Sequence, residues 1–109
     1  MLSLETIDLD IEGPKATVYL NRPDKKNAMN PQMHHDINRA LDEIEADDQV
    51  KVVVFTGRGD AFSAGMDLEE CFLRPFDDPM LFYKTNLVAL RWFQRVQSFG
   101  AVTMAKVNG

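Results

Sequence analysis

Residues 57–68 read GRGDAFSAGMDL and follow the apolar run VVVF at positions 52–55. So short an apolar run is typical of a buried strand and is too short for a helix. After the glycine-rich loop, the carboxylates of Asp67, Glu69 and Glu70 favour the first turn of a helix. We therefore predict a strand, a loop and a helix in this order.

The backbone of this loop is suited to an anion. N–H groups in the first turn of a helix have no partner within the helix and lie at the positive end of its dipole. Gly65 directly precedes the predicted helix start, and because glycine has no Cβ, a ligand can approach the main chain there. The stretch predicts a place that holds a phosphate or a developing oxyanion.

Composition describes an ordinary globular chain. The 109 residues are 45% hydrophobic and 27% charged, which suits a single small domain over residues 1–109. The formal net charge of -5 argues against a nucleic-acid or anionic-membrane surface. No segment could span a bilayer, no signal peptide is evident, and the lone Cys71 cannot form an internal disulfide. We expect a cytoplasmic protein.

The remaining pattern predicts an α/β chain. Alternating apolar residues indicate two strands on either side of a turn. Asn30 and Pro31 are suited to the N-cap and the first position of an amphipathic helix. Taken in order, the expected elements are strands at about 5–11 and 16–20, a helix at 31–46, a strand at 50–56, a short helix at 67–72, a helix at 79–100 and a strand at 101–107.

Two other motifs are weaker. The segment AFSAG at 61–65 approximates a serine-hydrolase elbow, but it does not directly follow the strand, and both histidines precede Ser63. His34 and His35 are adjacent, so on a helix they diverge by about 100° and cannot share a metal ion. We predict that both histidines are solvated, that Cys71 is a small buried residue, and that Trp92 belongs to the core.

Several short motifs occur in one order along the chain. They are LNRP at 20–23, KKNAM at 25–29, TG at 56–57, AFSAGMDL at 61–68 and VNG at 107–109. Together they resemble the crotonase superfamily, which is the enoyl-CoA hydratase/isomerase group of acyl-CoA enzymes. The resemblance implies an α/β fold with the crotonase-like ββα spiral core, of which this chain is the N-terminal portion. A final strand that stops at a turn signal also favours a longer protein over a frayed C-terminus.

Within this superfamily the chain is most similar to hydroxycinnamoyl-CoA (feruloyl-CoA) hydratase-lyases. The similarity lies in AGMDL at 64–68 and in Trp92. Two positions depart from that pattern, because those enzymes carry a tyrosine where this chain has Cys71, and the usual proline before the last strand is replaced by Ala101-Val102.

The resemblance also implies a site. Two backbone N–H groups hold the thioester oxygen of an acyl-CoA and stabilise enolate charge on it. Met66 N–H would be one donor, whereas the second donor and the catalytic glutamate would follow Gly109. Lys25 matches a position that contacts the CoA nucleotide, and the remaining CoA contacts would be made by the backbone of Ala64, Gly65, Met66, Asp67 and Leu68. Coenzyme A is then part of the substrate, no separate cofactor or metal is expected, and a homotrimer or hexamer is implied.

Alternatives remain for the charged residues and for the function. Arg22, Lys25 and Lys26 form the basic cluster ahead of the loop, although such clusters are usually solvated. Asp67 is interpreted as a helix-start carboxylate rather than a catalytic one. The chain is either part of an acyl-CoA enzyme or a non-catalytic module that holds CoA esters or packs as a subunit. With one donor and no catalytic glutamate, we expect the 109 residues to be catalytically silent.

Overall fold

One mixed sheet organises the chain in the computed structural model, which describes residues 1–109. The five strands lie in chain order, β1-β2-β3-β4-β5. The first two pairings are antiparallel, and β3–β4 and β4–β5 are parallel. The strands are β1 (Leu2–Ser3), β2 (Ile7–Glu12), β3 (Lys15–Leu20), β4 (Val52–Gly57) and β5 (Val102–Ala105). This arrangement confirms the predicted α/β class.

Two helices connect the parallel strands. α1 (Pro31–Glu45) leads from β3 to β4, and α2 (Pro79–Gln97) precedes β5. Both begin as the sequence predicts, because the side chains of Asn30 and Asp78 accept hydrogen bonds from the N–H groups of Met33 and Leu81, and a proline occupies the first turn of each helix. Neither helix combines the length and apolarity needed to cross a membrane.

The core lies between α1 and one face of the sheet. Side chains of α1 at helical spacing pack on alternate residues of β2, β3 and β4. The fully buried residues of this core include Ile7, Ala16, Val18, Met33, Ile37, Ala40, Leu41 and Val53. Trp92 and Val96 of α2 are partly buried and pack against this cluster. This packing agrees with the prediction that Trp92 belongs to the core.

Some elements differ from the sequence prediction, and β5 ends at Ala105 rather than at position 107. β1 is an additional short strand, which pairs Leu2 with Leu9. The short helix expected at 67–72 is a single π-helical turn, Glu69–Leu73, closed by Arg74 N–H bonding Glu69 O at 2.8 Å. α2 ends at Gln97, earlier than position 100; its last backbone bond runs from the Ser98 N–H to Gln94 O, and Gly100 is not a left-handed cap.

His34 contradicts the prediction that both histidines are solvated. Its side chain is fully buried, whereas His35 is exposed. Nδ1 of His34 accepts a hydrogen bond of 2.9 Å from Trp92 Nε1, and the two rings stack. The neutral ring then carries its proton on Nε2, which is buried without an acceptor. Burial, with a smaller effect of His35, lowers the pKa of His34 to about 4.

Cys71 is buried, as predicted. Its thiol lies 3.4 Å from Met29 O. Burial foremost, and then the charges of Asp67 and Glu70, raise the pKa of this thiol to about 11, which favours the unreactive protonated form.

Candidate functional site

Two loops meet at one edge of the sheet because β3 and β4 are parallel neighbours. Leu20 pairs with Gly57, so the segments that follow these strands leave the sheet side by side. Backbone hydrogen bonds then join the loops, from Ala64 N to Lys26 O at 2.9 Å and from Met29 N to Gly65 O at 2.8 Å. The first loop covers residues 21–30, and the second covers residues 58–68.

Met66 occupies an isolated parallel bridge with Met29. On either side of Met66 the main chain is engaged, since Gly65 O accepts from Met29 N and Asp67 N donates to Met29 O at 2.9 Å. The Met66 N–H itself has no acceptor among the hydrogen bonds of the chain. The bridge therefore presents a single oriented backbone donor between two fixed neighbours.

Gly65 leaves the approach to this donor open. Its φ is +95°, and a Cβ built there would have no heavy atom within 4 Å. The helix behind the loop is only five residues long, so its dipole is weaker than the sequence prediction assumes. The site is better described as one directed N–H than as the positive end of a helix.

Asp67 has both carboxylate oxygens engaged. Oδ1 accepts from the Glu70 N–H at 3.0 Å, and Oδ2 accepts from Arg22 Nη1 at 3.2 Å. The Glu70 N–H foremost, and Arg22 as well, hold the pKa of Asp67 below its usual value despite the opposing effect of burial. These contacts agree with the interpretation of Asp67 as a helix-start carboxylate.

The basic cluster of the sequence analysis is divided in the structure. Arg22 points into the protein, where its side chain is 14% exposed and lies against Asp67 and Glu70. Lys25 and Lys26 are exposed at the end of a short 3₁₀ turn. Arg22 is therefore not available to a phosphate, and the solvated part of the cluster consists of Lys25 and Lys26.

Asn27 is a site residue that the sequence analysis missed. It is fully buried with φ +56°. Its Nδ2 donates to the carbonyls of Arg58 and Ala61 at 2.9 and 2.8 Å, and its Oδ1 accepts from Arg22 N at 2.7 Å. Ser63 Oγ donates to Asn27 O. Asparagine tolerates this left-handed backbone conformation. An asparagine within a polar loop was therefore the sequence feature from which this role could have been predicted.

An apolar cavity of about 370 Å³ lies at the same end of the sheet. Met29, the bridge partner of Met66, is part of its wall. Other lining residues include Leu20, Phe55, Phe62, Trp92 and Met104. The cavity offers an apolar group a place beside the two loops.

A larger cavity, of about 500 Å³, lies between α1 and α2. It is lined by polar side chains such as Asn38, Asp42 and Arg95. None of its lining residues belongs to either loop, so it is separate from the Met66 donor. No group of three His, Cys, Asp or Glu side chains is placed to hold a metal ion.

The chain is similar to known proteins of one family. The model of the enoyl-CoA hydratase/isomerase family matches residues 11–109. A putative enoyl-CoA hydratase of Thermus thermophilus is 42% identical over 90% of this chain and 39% of its own length. A hydroxycinnamoyl-CoA hydratase-lyase of Pseudomonas fluorescens is 37% identical over 96% of this chain and 39% of its own length.

Solved structures show the same relation. An enoyl-CoA hydratase/carnithine racemase from Magnetospirillum magneticum superimposes with a TM-score of 0.88 at 34% identity, over 98% of this chain and 40% of that one. The chain thus spans about two fifths of the length of the relatives it matches. It belongs to the enoyl-CoA hydratase/isomerase family and adopts the fold of the N-terminal portion of the crotonase core.

Proposed function

We propose that this chain binds acyl-CoA thioesters and directs the Met66 N–H at the thioester oxygen. The observation that carries the proposal is the Met66 bridge, in which the unpaired Met66 N–H lies between backbone groups fixed by Met29. A hydrogen bond to this oxygen strengthens as enolate charge develops on it. With a second donor and a catalytic glutamate, the resulting activity is of the hydratase/isomerase type.

The CoA portion is proposed to lie across the joined loops. Lys25 is exposed on the first loop, next to Lys26, whose carbonyl holds the Ala64 N–H. An ammonium group there can contact the CoA phosphates. The backbone of Ala64, Gly65, Asp67 and Leu68 would border the remainder of the coenzyme. The support is the exposure of Lys25, Ala64, Gly65 and Leu68 on the two loops that carry Met66, whereas Asp67 is half-buried.

The acyl group is proposed to enter the apolar cavity beside Met29. Its volume of about 370 Å³ and its aromatic lining by Phe55, Phe62 and Trp92 suit an unsaturated or aromatic acyl group. The likeness to a hydroxycinnamoyl-CoA hydratase-lyase supports a hydroxycinnamoyl substrate as the finer proposal. We further propose a cytoplasmic homo-oligomer without a separate cofactor.

Fluorescence of Trp92 provides the test, because it is the only tryptophan of the chain and lines the cavity. We expect butyryl-CoA to change its emission at concentrations at which CoA and butyrate have little effect. Identical responses to butyryl-CoA and CoA would contradict the proposal that the acyl group enters this cavity.

The second candidate function is a module that binds CoA esters without chemistry. It is favoured by the ion pairs of Asp67 and Glu70 with Arg22 and of Glu69 with Arg74, which engage the carboxylates that follow Met66 in the sequence. The two candidates differ in the absorbance of crotonyl-CoA and feruloyl-CoA. Binding without loss of the conjugated absorbance would favour the module for these 109 residues, whereas hydration above the buffer rate would favour the enzyme.

A further inference from the structure

Arg22 connects the two loops through a half-enclosed guanidinium group. Nη1 donates to Ala28 O at 2.7 Å and to Asp67 Oδ2 at 3.2 Å. Nη2 lies 3.5 Å from Glu70 Oε2. The first contact is on the 21–30 loop, and the carboxylate contacts are at the start of the π-helical turn, so one side chain holds both segments.

These contacts lie next to the residues of the Met29–Met66 bridge, one before Met29 and one after Met66. Ala28 directly precedes Met29, the bridge partner of Met66. Asp67 directly follows Met66, and its other oxygen caps the turn through Glu70 N–H. A guanidinium that fixes Ala28 and Asp67 therefore fixes the residues on either side of the bridge, and the direction of the Met66 N–H follows from them.

We propose that Arg22 is a positioning residue, which orients the Met66 N–H toward the thioester oxygen. The inference rests on the proposed acyl-CoA function, because it assigns to Arg22 a role in the geometry of that donor. Arg22 does not touch the substrate, since its contacts are the carbonyl and carboxylates of its own chain.

The chemistry of arginine suits this role better than that of lysine. A planar guanidinium presents several N–H donors at fixed angles and reaches two segments at once. A single ammonium group at the same position could satisfy the charge of Asp67 but would not reproduce the planar set of bonds to Ala28 O and Glu70. Small displacements of a donor from the reacting oxygen reduce its effect strongly.

Selective ¹⁵N labelling of methionine gives a direct readout. The chain has six methionines, and Met1 has no backbone amide signal, so five signals are expected in the unaltered chain and one more in each of Arg22→Met and Arg74→Met. Met66→Leu identifies the Met66 signal. Met29, whose N–H bonds Gly65 O, reports on the bridge, and Met33, whose N–H bonds Asn30 Oδ1, serves as an internal control.

In the unaltered chain we expect butyryl-CoA, but not CoA, to move the Met66 amide proton downfield. Absence of this shift would contradict the proposed function, whatever the variants show. In Arg22→Met we expect the shift to fall by roughly half or more and exchange of the Met29 amide to rise about tenfold. Exchange at Met33 should stay unchanged, and the affinity for CoA should be retained.

Two further variants separate positioning from charge and from misfolding. Arg74→Met removes a guanidinium that also lies near Glu70, but whose side chain is 63% exposed, and it should leave the Met66 shift intact. Asp67→Asn retains an oxygen for the Glu70 N–H and removes the carboxylate opposite Arg22, so a reduced Met66 shift is expected there even if Arg22→Met fails to fold.

Three results would overturn the positioning role while the acyl-CoA function stands. The first is a Met66 shift of full size in a folded Arg22→Met or Asp67→Asn chain. The second is an equal loss of affinity for CoA and butyryl-CoA in Arg22→Met, which would indicate that Arg22 acts on the phosphates. The third is an equal effect of Arg74→Met.

Discussion

Trp92 donates its indole N–H to Nδ1 of His34 at 2.9 Å, and this hydrogen bond joins α2 to the buried face of α1. The bond requires the neutral imidazole, because Nδ1 must act as an acceptor. The charge state of one buried ring is therefore linked to the contact between the two helices and to the wall of the apolar cavity, which Trp92 lines.

Stability should consequently fall in mild acid. Burial lowers the pKa of His34 from 6.5 to about 4, so the unfolded chain takes up this proton more readily than the folded one. The contribution of His34 is fully present above pH 6.5 and decreases as the pH falls toward 4, by up to about 1.4 kcal/mol per pH unit. Urea unfolding between pH 4 and 8 measures it. His34→Gln should flatten this dependence, whereas His35→Gln should not; a steep dependence retained in His34→Gln would contradict the assignment.

Asn27 should be among the most sensitive positions of the loops. Asn27→Gly leaves the carbonyls of Arg58 and Ala61 without their donor and is expected to cost about 2–4 kcal/mol of unfolding free energy. Asn27→Ala should cost about 1 kcal/mol more, because alanine tolerates the φ of +56° poorly and glycine adopts it readily. Thermal or urea unfolding compares the pair. Equal stability of both variants and the unaltered chain would show that the loops are joined by other contacts.

Gly65→Val should abolish the response to butyryl-CoA, because the new side chain occupies the open space beside the Met66 N–H. Valine is also strained at φ +95°, and a control must separate the two effects. Gly13 offers one, since it has φ +57°, equally open surroundings and a place in the β2–β3 turn. Gly13→Val should lower stability and retain binding. A Gly65→Val chain that binds butyryl-CoA normally would exclude this loop as the site.

Lys25→Ala should weaken binding of CoA and of butyryl-CoA alike, by about tenfold at low salt, which corresponds to about 1.4 kcal/mol. A CoA-free acyl thioester should bind as before. Lys84→Ala on α2 makes the same change of charge away from the loops and is the matched control. Calorimetric titration at two salt concentrations measures both variants, and equal affinities for CoA would contradict the role of Lys25.

Local features of the chain were predictable because their causes are local. Asn30 with Pro31 and Asp78 with Pro79 start the two long helices through side-chain caps a few residues away. The burial of His34 could also have been predicted, because His34 lies at helical spacing with Ile37, Leu41 and Ile44. Residue type was misleading there, because a histidine with a hydrogen-bond partner can replace an apolar residue on a buried face.

The ion pair of Arg22 with Asp67 could not be predicted in the same way. The residues are 45 positions apart and meet only because β3 and β4 are parallel neighbours. In the sequence, Arg22 stands beside two lysines and is similar to them in charge. Tertiary contacts, rather than the local sequence pattern, place Arg22 against carboxylates and leave Lys25 and Lys26 facing solvent.

The order of the strands also has a consequence for how the chain folds. β2 and β3 are joined by a two-residue turn at Gly13 and Pro14, with Glu12 paired to Lys15, so this hairpin closes over a short distance. β3 and β4 are separated in the sequence by α1, so their pairing must bring the two ends of this long connection together. Such non-local contacts form slowly. The Met66–Met29 bridge depends on that later step. The hairpin is therefore expected to form before the proposed Met66 donor, and binding of acyl-CoA should require the β3–β4 pairing.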